Sequence, residues 1–107
     1  MKVAINTCYG GFELSDSAVK RLAEIKKCEA NIVENSFNYT HDNRSDKDLV
    51  QVIEELGEKA NGRCARIAII EIPDDVKWHV GEYDGIEWIA ENHRRWDTAD
   101  NSSGMRG

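Results

Sequence analysis

Apolar and polar residues alternate at the start of the chain, and this predicts a short β-strand. Val3 and Ile5 fall on one face of residues 2–7, and the strand ends at a pair of glycines. Apolar residues then recur every three or four positions, which predicts a helix with Ser15 as its N-cap. The apolar stripe of this helix consists of Val19, Leu22, Ala23 and Ile25.

The strongest helical pattern lies in the middle of the chain. Ser45 and Asp48 form a start that resembles a capping box, and Asn61-Gly62 is typical of a left-handed C-cap. The apolar positions between them are Leu49, Val52, Ile53, Leu56 and Ala60. Before this helix, the ring-bearing residues Phe37, Tyr39 and His41 alternate with small polar residues, which predicts a strand over residues 37–41. Residues 41–46 predict a loop.

Two further strands and a helix are predicted in the second half of the chain. Residues 65–73 are rich in β-branched residues without alternation, which is typical of a central strand buried on both faces and ended by Pro73. Residues 76–80 alternate again, and a turn at Asp74-Asp75 predicts a hairpin between these two strands. The positions Ile86, Ile89, His93 and Trp96 have helical spacing and predict a last helix.

These elements together predict an α+β fold. About four strands form a small mixed or mainly antiparallel sheet, and about three helices pack on it. Residues 1–96 form a single domain in this prediction, and the small polar residues 97–107 form a flexible tail. A chain of 107 residues is long enough for one modest core.

Composition narrows the classes of protein. The net charge of −6 and the pI of about 5.0 argue against binding to duplex nucleic acid. No apolar run approaches the roughly 20 residues that span a bilayer, and the N-terminus lacks the apolar core of a signal peptide, so we expect an intracellular protein with no membrane partner. Cys8, Cys28 and Cys64 are too widely spaced for a disulfide framework or a zinc knuckle, so reduced thiols and no metal are expected.

Catalytic motifs are absent from the sequence. His41, His79 and His93 lie in no pattern that pairs a base with a nucleophile or a metal. Cys8 could be a reactive thiol beside the glycines, but a small buried strand-end residue is the simpler interpretation. Pairs of carboxylates arise by chance in a chain with 20 acidic residues. The residues therefore predict no enzyme and no cofactor.

An anion-binding turn is the better-supported chemistry. The amides of Gly10-Gly11 open onto a helix N-terminus, which is the basis of many phosphate sites. The sequence matches no phosphate-loop pattern, however, and Glu13 and Asp16 bring negative charge there, so a tight turn is favoured on local grounds.

Arginines supply the complementary half of such a site. Arg44 stands in the loop before the central helix, and Arg94-Arg95 lie beside Trp96. A guanidinium next to an aromatic ring suits a nucleotide, because one group binds phosphate while the other stacks on a base. The alternative is pairing on a helix surface, as between Glu91 and Arg95.

Four separated blocks carry a resemblance that covers residues 1–96. They are "NTCYGGFELS", the helix "RSDKDLVQVIEELGEKANG", "EIPDD" and the closing "YDGIEW" with "HRRW". Together they resemble a family of short phage and prophage proteins that includes the Thoeris anti-defence one sponges. That resemblance implies a non-enzymatic protein that captures cyclic ADP-ribose isomers, holds them intact and so blocks a bacterial immune response.

The same resemblance implies an assembly, a location and a set of ligand-binding residues. Family members form dimers or higher homo-oligomers in the cytoplasm of the infected bacterial host, and some also take up cyclic oligonucleotides at a separate site. The implied pocket residues are Tyr9, Gly10, Gly11, Phe12, Arg44, Pro73, Asp75, Arg94 and Arg95. Phe12 would form a wall, the arginines would bind the pyrophosphate, and the turn at 73–75 would lie near the base or ribose. Glu13 departs from the small residue expected there and opposes an anionic ligand.

An interpretation from a different class rests on the acidic balance alone. A small protein with this net charge can imitate nucleic acid and occupy a basic surface. The chain would then be an inhibitor that binds a host defence protein or a nucleic-acid-processing protein directly, and its phage origin is again what the resemblance implies.

Overall fold

A computed structural model describes residues 1–38 and 41–91 of the chain. Within them lie β1 (Lys2–Asn6), α1 (Asp16–Lys26), α2 (Ala30–Phe37), α3 (Lys47–Leu56), a 3₁₀ turn (Gly57–Ala60), β2 (Ile67–Glu71), β3 (Trp78–Tyr83) and β4 (Ile86–Glu91). This mixture of helices and antiparallel strands confirms the predicted α+β class. The predicted tail at 97–107 lies outside the described residues.

The strands form two separate two-stranded antiparallel sheets. In the first, β1 pairs with β2 in a register that runs from Lys2↔Glu71 to Asn6↔Ile67. The prediction of the first strand is therefore confirmed. The second sheet is the hairpin β3–β4, with pairs from Trp78↔Glu91 to Tyr83↔Ile86.

The free edge of β1 faces the second sheet and the loop before α3. The amide of Ala4 donates to the carbonyl of Arg44 at 2.8 Å. The amide of Asn6 donates to a carboxylate oxygen of Glu87 on β4, also at 2.8 Å. Because Ala4 and Asn6 are spaced by two, these donors lie on the same edge of β1 and connect it to both neighbours.

The turn between β3 and β4 contradicts the predicted last helix over residues 86–91. Asp84 and Gly85 both have positive φ, at 52° and 91°. Two consecutive left-handed residues define a tight hairpin turn, for which Asp-Gly is a strong sequence signal. The spacing of three between Ile86 and Ile89 suggested a helix. A two-residue turn, however, places the segments on either side of it next to each other as paired strands. His93 and Trp96 lie outside the described residues.

The environment and partner of β2 also differ from prediction. Its apolar residues are only partly buried, so β2 is not a central strand covered on both faces. β2 pairs with β1, which is more than sixty residues away in sequence, and the predicted hairpin between β2 and β3 is wrong. Local alternation could not reveal this, because the partner comes from the other end of the chain.

Helix α2 contradicts the start of the strand that was predicted over residues 37–41, because it includes Phe37. Val33 and Phe37, one helical turn apart, are both buried. Phe37 is therefore the last residue of a helix, with Asn38 as its C-cap, and does not begin a strand. Tyr39 lies outside the described residues.

The other two helices follow the predicted stripes, with different ends for α3. Ser15 caps α1 as predicted, since its Oγ accepts from the amide of Ala18 at 3.2 Å. Asp46, rather than Ser45, caps α3. Gly57, with φ at 58°, ends α3 before the predicted stop at Asn61-Gly62.

One hydrophobic core joins the three helices to β1. Its buried members are Ala4, Phe12, Leu14, Ala18, Val19, Leu22, Ala23, Val33, Phe37, Leu49, Val52, Ile53 and Ala60. Phe12 thus belongs to the core although it follows the glycine turn. None of the helices within residues 1–38 and 41–91 is both long and apolar enough to cross a membrane.

Candidate ligand-binding site

A cavity of about 410 Å³ opens where three distant parts of the chain meet. These parts are the glycine turn after β1, the segment between α2 and α3, and the hairpin β3–β4. The lining residues are Gly10, Gly11, Phe12, Glu13, Asn38, His41, Arg44, Glu82 and Glu87. The volume falls within the range of small-molecule sites in proteins.

Arg44 is buried beside this cavity, with an exposed fraction of 1%. Its Nη1 and Nη2 donate to the two carboxylate oxygens of Glu87 at 2.5 and 3.0 Å. The guanidinium carbon also lies 3.7 Å from the centre of the Phe12 ring. A bidentate pair stacked on a ring fixes the guanidinium plane, so Arg44 is held rigidly.

One donor of Arg44 has no acceptor within residues 1–38 and 41–91. This donor is the Nε–H, which is buried and makes no hydrogen bond to any of the described residues. Buried donors in proteins nearly always find an acceptor, and an exception calls for a specific cause such as a bound water or ion. This nitrogen is shielded from the cavity that Arg44 helps to line.

Asn6 ties the glycine turn to the hairpin. Its Nδ2 donates to the carbonyls of Cys8 at 2.5 Å and Gly85 at 2.7 Å. Its Oδ1 accepts from the amide of Arg66 at 2.8 Å. The side chain of Asn6 is completely buried and satisfies backbone groups from three segments, which positions two walls of the cavity against each other.

Close backbone contact explains the glycines at this junction. A Cβ atom on Gly85 would lie 2.6 Å from the amide nitrogen of Gly10 and closer still to that of Gly11. Gly10 and Gly11 have φ of 111° and 96°, which other residues rarely adopt. The tight-turn interpretation of Gly10-Gly11 therefore has a physical basis: two turns interlock there.

Acidic groups and one imidazole form the rest of the lining. His41 Nε2 lies 3.6 Å from Glu82 Oε1 and 3.5 Å from Glu87 Oε2. Glu13, also in the lining, is exposed. Because Glu87 is already paired with Arg44, Glu13 and Glu82 leave the cavity with a negative balance.

The structure brings together four of the residues that the sequence singled out. Gly10, Gly11, Phe12 and Arg44 line one cavity. Tyr9 is adjacent in sequence but 60% exposed and not part of the lining.

The remaining predicted residues lie elsewhere. Pro73 and Asp75 are exposed in the connection between β2 and β3, away from the lining. Arg94 and Arg95 lie outside the described residues.

Sequence reasoning missed Glu82 and Glu87 as site residues. They are directly opposite each other across the hairpin. Recognising Asp84-Gly85 as a two-residue turn would have placed them there, because the residues next to the turn pair in order.

Comparison with known proteins gave no match to a family model, to a curated protein or to a solved structure.

Proposed function

We propose that this protein is a phage anti-defence sponge that binds a cyclic ADP-ribose-type signal and holds it without cleaving it. Support comes from the cavity beside Arg44, which combines an aromatic ring, a fixed guanidinium, glycine backbone and carboxylates. The class of ligand comes from the sequence resemblance. Sequestration requires affinity and an enclosed surface, and it requires no nucleophile or general base.

The observation that carries this proposal is the cavity itself, whose lining brings together the Phe12 ring, the Gly10-Gly11 turn and Arg44. Both Nη atoms of Arg44 are held by Glu87. The guanidinium therefore cannot offer a phosphate the full fork that the sequence suggested, and it contributes to the cavity as a fixed, paired group.

The carboxylates of the cavity favour a ligand that also carries donors. Glu13 and Glu82 can accept hydrogen bonds from ribose hydroxyls or from an amino group on a base. A ligand with phosphate alone would meet only repulsion from them. A cyclic dinucleotide-like ring with two riboses offers both chemistries in one molecule. Assembly into a homo-oligomer and action in the cytoplasm of the infected host belong to the same proposal.

The experiment is recovery of an intact ligand. The purified protein is incubated with a lysate that produces the Thoeris signal, separated from it and heat-denatured, and the released molecule is identified by mass spectrometry. We expect an intact cyclic ADP-ribose isomer. A hydrolysed product would indicate an enzyme, and no released nucleotide together with no thermal shift from cyclic ADP-ribose isomers would overturn the proposal.

The site is tested with a variant that fills the cavity. His41→Trp places an indole among the lining residues, and we expect it to weaken isomer binding by at least about tenfold in calorimetry. His79→Trp on the exposed part of β3 is the matched control and should bind as the parent does. Equal binding by both variants would locate the ligand elsewhere. Arg44→Ala is unsuitable because it breaks a buried ion pair.

A further inference from the structure

Three side chains in the lining of the cavity bring possible metal-ligand atoms close together. They are His41, Glu82 and Glu87, and one ligand atom from each lies within 4.8 Å of the other two. His41 comes from the segment before α3, and the two glutamates come from the hairpin. The fold therefore brings together donors that no sequence motif connects.

The two glutamates form a like-charge pair in the sheet. Glu82 and Glu87 are directly opposite in the register of β3 and β4, so their side chains share one face. Like charges directly opposite each other destabilise a ladder. Arg44 satisfies Glu87, but no hydrogen bond or ion pair joins Glu82 to Arg44 among the described contacts.

The distances from the imidazole fit shared coordination better than hydrogen bonding. His41 Nε2 is 3.6 Å from Glu82 Oε1 and 3.5 Å from Glu87 Oε2. Both exceed the usual 2.7–3.2 Å of an N–H···O bond. Two ligand atoms bound at about 2.0–2.1 Å in tetrahedral geometry are separated by about 3.4 Å.

Glu87 has the support that a metal-ligating carboxylate needs. It is 5% exposed, and its oxygens accept from the guanidinium of Arg44 and from the amide of Asn6. Such outer hydrogen bonds orient ligating side chains and are an ordinary part of metal sites. The cavity leaves room for water or a ligand oxygen to complete the coordination.

We propose that His41, Glu82 and Glu87 bind a first-row transition-metal dication such as Mn²⁺ or Zn²⁺. One imidazole nitrogen with two carboxylate oxygens suits these ions better than Mg²⁺ or Ca²⁺, which prefer oxygen alone. The bound cation offsets the negative balance of the cavity. It would then bind the phosphate of an anionic nucleotide in the cavity, a bridging role between chain and ligand, and this second role alone rests on the proposed function.

Mn²⁺ is the probe for the test because Cys8, Cys28 and Cys64 bind it weakly, whereas they compete for Zn²⁺. Loss of the free-ion electron paramagnetic resonance signal is followed as the intact chain is titrated into Mn²⁺. We expect one ion per chain, and at least tenfold weaker binding in Glu82→Gln and His41→Gln. Both side chains are partly exposed, so both variants should fold. Circular dichroism checks this.

Glu71→Gln on β2 and His79→Gln on β3 are matched controls and should bind Mn²⁺ as the parent does. The metal site is overturned if the parent leaves the free-ion signal unchanged at millimolar protein, or if the site variants bind as tightly as the controls.

Calorimetry with a cyclic ADP-ribose isomer, with and without a chelator, separates the two proposals. Nucleotide binding that needs the metal supports the bridging role, and equal binding in chelator overturns only that role. Mn²⁺ binding without any nucleotide binding keeps the metal site and overturns the sponge.

Discussion

At the scale of single residues, Arg44 combines a place in the lining of the candidate site with a structural role as the partner of Glu87. The sequence placed it in a loop, where an arginine is normally solvated. Its partner Glu87 lies 43 positions away, beyond the reach of any local pattern. The presence of Arg44 in the site was predictable, and its pairing was not, because the turn that delivers Glu87 was assigned to a helix.

This pairing leads to a prediction about stability. Arg44→Met removes one partner of a buried ion pair and leaves a carboxylate uncompensated, which should lower the free energy of unfolding by about 3–5 kcal/mol. The double variant Arg44→Met/Glu87→Gln removes both charges, while the amide oxygen of Gln still accepts from Asn6. We expect it to recover at least half of the loss in urea unfolding. A double variant as unstable as the single one would contradict this explanation.

At the scale of elements, α1 and α3 were predictable because their signals are local. A periodic apolar stripe needs only its own residues to be recognised. The hairpin β3–β4 was missed because apolar residues three apart fit either structure, and the two-residue turn that decides between them was overlooked. The pairing of β1 with β2 carried no local signal of any kind.

Asp46 couples two helices, and its ionisation makes that coupling dependent on pH. Its Oδ1 accepts from the amides of Asp48 and Leu49, and its Oδ2 accepts from Lys26 Nζ on α1 at 2.9 Å. Burial alone would raise the pKa of Asp46, but the bond from Lys26 and those backbone amides lower it overall. For Lys26, burial opposes the charge, yet its bonds to Asp46 and Asp48 raise the pKa.

The lowered pKa of Asp46 determines how stability depends on pH. A depressed carboxyl pKa stabilises the fold above the unfolded value near 4, and that stability is lost as pH falls through the folded value. Asp46→Asn keeps a cap but removes the charge, so we expect a flatter loss of stability between about pH 5 and pH 2 and a change below about 1 kcal/mol at pH 7. Asp46→Ala should cost about 1–2 kcal/mol at pH 7.

Urea unfolding at several pH values measures both effects of Asp46. Asp16→Asn, which alters an exposed acid in the first turn of α1, is the control. If the free energy of unfolding falls as steeply with decreasing pH in Asp46→Asn as in the parent, the contact with Lys26 does not contribute to the pH dependence of stability.

At the scale of the whole molecule, buried hydrogen bonds and an ion pair connect the hairpin to the rest of the fold. Asn6 and the Arg44–Glu87 pair connect β1 and the loop before α3 to β3–β4. β1, α1, α3, β2 and part of β3 could be predicted from the sequence, whereas α2 and β4 were assigned the wrong type of structure. The contacts between these elements could not be predicted, because each of these contacts joins residues far apart in the chain.

Because of these buried polar contacts, we expect the hairpin and the helices to unfold together. In a Trp96→Phe background, fluorescence reports Trp78 and Trp88 on the hairpin, and far-ultraviolet circular dichroism reports mainly the helices. We expect one urea midpoint for both signals in the parent. In Asn6→Ala the fluorescence midpoint should fall below the dichroism midpoint. Separate midpoints in the parent would contradict a cooperative unit.

The bond between the Asn6 amide and Glu87 spans 81 positions, and this has a consequence for how the protein comes into being. Contacts of such long range form late, because a large loop must close before they contribute. During synthesis the helices can assemble while β3 and β4 are still inside the ribosome, so the nascent chain has no cavity. The candidate cavity can form only after the hairpin has emerged, and a product truncated before residue 78 would keep the helices while lacking the Glu82 and Glu87 wall.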